Sequence, residues 1–127
     1  MTEYSQPILN GQRFLIAEDE AITSMLLEDV IERLGGKIIG KAIACGEALA
    51  ALKTADIDAI ILDVHLKGGT SEDVVAAATD KNVPILVCTG SDGQALPPAF
   101  RNFPILKKPW QSEDVEVALA QLFSTAA

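Results

Sequence analysis

Long apolar runs are missing from this sequence. None approaches the ~20 consecutive residues that a membrane-spanning helix requires, and no membrane contact is expected. Residues Met1 to Pro7 hold neither the basic start nor the apolar core of a secretory signal, so cytoplasmic residence is the expectation. Basic side chains are scarce, 10 against 18 acidic ones, for a formal charge of −8. A nucleic-acid surface needs a basic patch to neutralise phosphates, so no nucleic-acid partner is expected. Most of the acidic excess reads as a solubility device. Cysteine and histidine are too few to build a metal site of their own: Cys45 and Cys88 show no ligand spacing, and His65 has no second histidine. Cys88, inside Pro84-Ile85-Leu86-Val87-Cys88, reads as a buried small hydrophobe.

What is present suits one globular domain: 127 residues, 49% hydrophobic and 22% charged. Residues 1–11 form a polar lead-in ending at the turn signal Asn10-Gly11, and residues 12–127 form the domain. Five apolar runs alternate with helical patterns. The strands are Phe14–Ala17, Ile38–Ile43, Ile57–Leu62, Ile85–Cys88 and a short one around Ile105-Leu106. Ile22, Leu26 and Val30 recur every four residues, reinforced by Leu27, Ile31 and Leu34, and Gly35-Gly36 stops that helix as a C-cap. Gly46–Leu52 and Val74–Ala78 are helical, the latter with Thr70 or Ser71 as N-cap. The last helix starts after Pro109 with Ser112 as N-cap and buries Val115, Ala118, Leu119 and Leu122. Such alternation implies parallel strands joined by right-handed crossovers, hence a three-layer α/β/α sandwich with its active crevice beyond the carboxyl ends of the strands.

The strand ends carry a coherent polar set: Glu18-Asp19, Asp63, Thr89 and Lys107-Lys108. Three carboxylates at one mouth repel one another, and a divalent cation relieves the conflict. Few hard oxygen ligands with room for water suit Mg²⁺. A lysine and a hydroxyl added to that cluster make a phosphoryl site, with Asp63 as the natural nucleophile because carboxylates form aspartyl phosphates.

Four segments, Leu15-Ile16-Ala17-Glu18-Asp19-Glu20, Ile60-Ile61-Leu62-Asp63-Val64, Val87-Cys88-Thr89-Gly90 and Leu106-Lys107-Lys108-Pro109-Trp110, stand in this order. In them the sequence resembles a receiver domain of the bacterial two-component response regulators, from about Arg13 to Leu122. The resemblance implies a flavodoxin-like (CheY-like) five-stranded parallel sheet of order 2-1-3-4-5. It implies Asp63 as phosphoacceptor, with Glu18, Asp19, Asp63 and the His65 backbone carbonyl binding Mg²⁺. Thr89 and Lys108 would contact the phosphoryl group; the lysine before proline is the functional one, across a bond commonly cis in the family, and Lys107 is a solvated charge. The expected partners are a sensor histidine kinase or a histidine phosphotransfer protein. After Ala127 no residues remain for an output domain, so signalling through an unidentified docking partner is expected, by a monomer or weak dimer. The chain would promote its own phosphorylation and dephosphorylation rather than act as an enzyme on a substrate.

Several positions depart from the common receiver pattern. Glu18 replaces the more frequent Asp, and Val64-His65-Leu66-Lys67-Gly68-Gly69 replaces a Met-Pro-Gly segment. His65 has two readings, a solvent-facing loop residue or, with Ser91, a group that tunes phosphate lifetime. Ile105 stands where receivers carry a rotating aromatic and reads as a buried strand residue. Gly93 and Pro97-Pro98 weaken the fourth helix, which should be short and frayed. An aspartate-based phosphohydrolase would need a second aspartate where His65 stands. A degenerate receiver would have lost a site residue, and a nucleotide binder would have a glycine-rich loop after the first strand.

Overall fold

In the computed structural model, which describes residues 8–90 and 96–124, the apolar runs become strands of one sheet. The elements are β1 (Arg13–Ala17), α1 (Ala21–Arg33), β2 (Lys37–Ala42), α2 (Cys45–Thr54), β3 (Ala59–Asp63), β4 (His65–Leu66) and β5 (Gly69–Thr70). They continue with α3 (Glu72–Asp80), β6 (Ile85–Thr89), β7 (Ile105–Lys107) and α4 (Ser112–Ser124). The main sheet has the order β2-β1-β3-β6-β7 and every pairing in it is parallel, which is the expected 2-1-3-4-5 arrangement. β4 and β5 form a separate antiparallel ladder after the third strand.

Side-chain alternation along the strands divides the core into two layers. Leu15, Ala17, Ile60, Leu62, Ile85 and Val87 face α2 and α3, together with Phe100 and Leu96. Phe14, Ile16, Ile61, Leu86, Cys88 and Leu106 face α1 and α4. β3 and β6 are buried at every position, as strands covered on both faces must be.

The end of α1 shows why two glycines stand together. Gly35 takes φ 104°, a conformation that favours glycine. Its N–H donates to Glu32 O at 3.1 Å and that of Gly36 to Ile31 O at 2.9 Å, a Schellman pairing. At Gly36 the reason is space: an added Cβ would lie 2.7 Å from Ile31 Cγ2 and 2.9 Å from Leu9 Cδ1. Leu9, within the lead-in, is buried against this corner. We expect Gly36→Ala to lower unfolding free energy by about 1–3 kcal/mol through overpacking. Gly46→Ala, where a Cβ meets nothing within 4 Å, should be neutral or stabilising inside α2. Denaturant midpoints of the two variants check this.

Four local expectations are corrected. Ile22 and Leu26 do not join the buried face of α1; they are 73% and 52% exposed, with Met25 beside them. A spacing of four drifts round a helix of 3.6 residues per turn, and the buried stripe is Leu27, Val30, Ile31 and Leu34. Ile105 is 41% exposed rather than buried. β7 is an edge strand, and its alternation turns Leu106 inward and Ile105 and Lys107 outward. Ser112 is the first residue of α4, and Gln111 before it is the cap: its N–H donates to Asp114 Oδ2 at 2.8 Å, half of a capping box. Ser71 does precede α3, but its hydroxyl makes no cap bond. As for the weakened fourth helix, the described residues hold a single 3-10 turn, Pro98–Phe100, whose Phe100 is fully buried.

Candidate functional site

Because the strands are parallel, their carboxyl ends open on one edge and deliver the polar residues that follow them to one place. β1 hands over to Glu18, whose N–H donates to Ala42 O at 2.9 Å and so ties it to the neighbouring strand. β3 ends in Asp63 itself. Thr89 closes β6, and the Lys108 N–H donates to its carbonyl at 2.8 Å. That backbone bond fixes where the Lys108 side chain starts, and the Lys108-Pro109 peptide is cis. Lys107, the residue before it and the last of β7, points outward.

Carboxylate oxygens of Glu18, Asp19 and Asp63 lie within 4.8 Å of one another. Glu18 and Asp63 are buried, as is Thr89, while Asp19 is exposed. The Lys108 ammonium stands 3.0 Å from Asp63 Oδ2, 2.9 Å from Glu18 Oε1 and 3.1 Å from Glu20 Oε1. The other Asp63 oxygen, Oδ1, accepts the backbone N–H of His65 at 3.1 Å. Glu18 Oε2 accepts the N–H of Glu20 at 3.1 Å.

Electrostatics mark this cluster as unusual. Burial pushes the Glu18 carboxyl up to about 7, opposed by Lys108 and reinforced by Asp63. Burial works against the Lys108 charge, but its contacts with Glu18, Asp63 and Glu20 outweigh that and raise its pKa. The Cys88 thiol, pushed up to about 12 mainly by burial, is inert packing behind the site. Glu18 Oε1 is ion-paired with Lys108, yet it has no aligned hydrogen bond among the described residues although it is buried. A buried carboxylate oxygen held by one ion pair alone, in a set made only of hard oxygen donors, fits a small divalent cation such as Mg²⁺.

The loop after Asp63 differs from a simple connection. β4 and β5 pair His65 with Thr70 and Leu66 with Gly69, through a turn in which Gly68 takes φ 96°. Lys67 N–H donates to Ile43 O at 3.1 Å, which pins this hairpin to the end of β2. The His65 side chain is exposed at the site's rim. Ser91 lies outside the described residues.

Two residues near the chemistry were given no part in it by the sequence. Ser71, fully buried, donates its hydroxyl to Asp63 O at 2.7 Å and to Val64 O at 3.2 Å. It ties the start of α3 to the backbone of the acceptor. Nothing in the sequence distinguishes this from an ordinary N-cap serine, because its hydroxyl is aimed by tertiary packing. Glu20 was visible only as the third member of an acidic run, and its contact with Lys108 spans most of the chain.

No protein-family model matches the chain. It is similar to the chemotaxis protein CheY of Thermotoga maritima, at 30% identity over 88 residues, 68% of this chain and 73% of that protein. Among solved structures it is similar to SdrG from Sphingomonas melonis Fr1, at 36% identity and a TM-score of 0.78, covering 90% of this chain and 97% of that one. The response regulator PhyR from Brucella abortus matches at 26% identity and a TM-score of 0.81, over 96% of this chain. This chain spans only 51% of that PhyR chain.

Proposed function

Since this chain belongs to the receiver-domain family of two-component response regulators, we propose that Asp63 is its phosphoacceptor in a Mg²⁺-dependent transfer. The donor is a phosphohistidine of a sensor kinase or a histidine phosphotransfer protein. The observation that carries this reading is the set at the strand ends: Asp63 within 4.8 Å of Glu18 and Asp19, with the Lys108 ammonium 3.0 Å from its Oδ2.

An Asp63 oxygen attacks phosphorus, the phosphorus–nitrogen bond of the donor breaks, and the histidine nitrogen keeps the electron pair and takes a proton from solvent. An acyl phosphate results. Glu18, Asp19, Asp63 and the His65 carbonyl would hold Mg²⁺, which neutralises charge on the transferring oxygens when bound. Lys108 would stabilise the same charge, and the Thr89 hydroxyl would donate to a phosphoryl oxygen. His65 N–H holds Asp63 Oδ1 and so orients the carboxylate before attack. Hydrolysis reverses the state: water attacks phosphorus, the phosphorus–oxygen bond breaks, and inorganic phosphate leaves. The phosphorylated chain then signals by docking to an output partner. Intact mass after incubation with acetyl phosphate tests the reading. One phosphoryl increment should appear with Mg²⁺ and not without it, and an unmodified mass under both conditions sinks the proposal.

The exposed His65 side chain stands two residues past the acceptor, where it can contact the attacking water. His65→Ala should change the half-life of the phosphorylated form severalfold, roughly 1 kcal/mol in barrier. Phosphate release followed over time checks this, and identical decay would assign His65 to the solvated rim alone.

A further inference from the structure

We infer that Glu20 is a positioning residue, an internal competitor that occupies the solvent side of the Lys108 ammonium until an incoming phosphoryl group displaces it. This rests on the phosphoacceptor reading of Asp63 and Lys108. Three carboxylates surround the ammonium, at 2.9, 3.0 and 3.1 Å, and they are not equivalent. Glu18 and Asp63 are buried, and each has its other oxygen fixed by a backbone N–H, from Glu20 and His65 respectively. Neither can turn away without leaving a buried carboxylate unpaired, which is costly. The Glu20 side chain is 63% exposed, so its carboxylate is rehydrated on release, and exposed ion pairs contribute little.

The placement of Glu20 is informative for a second reason. It stands at the N-cap of α1, where a short polar side chain would normally accept from the first turn. Glu20 makes no such bond. Its carboxylate instead reaches across to Lys108, accepting at the same oxygen from the Thr23 hydroxyl at 3.4 Å. A phosphoryl oxygen on Asp63 must take a position on the same ammonium, and Glu20 holds the one that faces solvent.

Glu20→Gln should therefore raise the second-order rate of phosphate incorporation from acetyl phosphate, at saturating Mg²⁺, by about twofold to fivefold, the range set by an exposed ion pair. The beryllofluoride concentration for half-saturation, followed by fluorine NMR, should fall by a similar factor. A purely structural role at the helix end would shift the melting temperature and move neither quantity. Glu20→Asp keeps the charge but shortens the reach, and should behave like the Gln variant. If Glu20→Asp matches wild type while Glu20→Gln is faster, bulk charge at the mouth is responsible and the inference is overturned. Equal rates and equal half-saturation in all three proteins overturn it as well. Failure of the underlying reading looks different, since wild type itself would then take neither phosphate nor beryllofluoride.

Discussion

Asp63→Asn should abolish the phosphoryl mass increment, and Asp58→Asn should leave it intact. Both are aspartates of the third-strand region, so the pair separates position from residue type. Asp58 lies at the other end of the strand, where it accepts from the Arg13 backbone N–H at 2.8 Å and pairs with the Arg13 guanidinium. Asp63 lies at the carboxyl end, buried, with one oxygen on Lys108 and the other on the His65 N–H. An amide keeps that shape and one acceptor but has no anionic oxygen to attack phosphorus, so loss should be complete rather than partial. Quantitative intact mass over a time course at saturating donor and Mg²⁺ is the measurement. A labelled Asp63→Asn protein would move the acceptor elsewhere, and unchanged melting curves for both variants would exclude misfolding as the cause.

The second large effect concerns Asp19. It is the exposed member of the three-carboxylate cluster and has no ion pair among the described residues, whereas Glu18 and Asp63 share Lys108. Removing Asp19 should therefore take a charge from the proposed cation site while leaving the buried ion pairs intact. Loss of a supporting group alone typically weakens metal binding about 10–100-fold, and a direct oxygen ligand should matter at least as much. Asp19→Ala should raise the Mg²⁺ concentration for half-maximal phosphorylation at least about tenfold, with little change in stability. Titrating Mg²⁺ at fixed acetyl phosphate checks this, and an unchanged midpoint would remove Asp19 from the cation site.

Much of this was legible because it depends on local order. Glycine at positive φ, buried strands with continuous apolar side chains and helices with an apolar stripe each leave a signature a few residues long. Parallel topology then sends every strand end to the same edge, so Glu18, Asp19, Asp63, Thr89 and Lys108 could be grouped from their places after apolar runs. Alternation allowed only one of Lys107 and Lys108 to face the site, and the resemblance to receivers, with its functional lysine before proline, selected Lys108.

The remainder was decided by what lies next to what. Periodicity counted Ile22 and Leu26 as core because it records spacing, while burial depends on which part of the helix circumference the sheet covers. Ile105 read as core for a similar reason; being apolar says nothing about standing on the outward face of an edge strand. Ser71 and Glu20 have the composition of helix starts, and both sit at helix starts. Their side chains turn elsewhere because stronger partners, the Asp63 carbonyl and the Lys108 ammonium, are brought within reach by other strands. By itself the sequence determined the layers and the residues gathered at the mouth, and its resemblance to receivers implied the strand order. Only the tertiary structure decided how the Lys108 charge is shared among three carboxylates, because hydrogen bonds between distant segments depend on distances that no local pattern encodes.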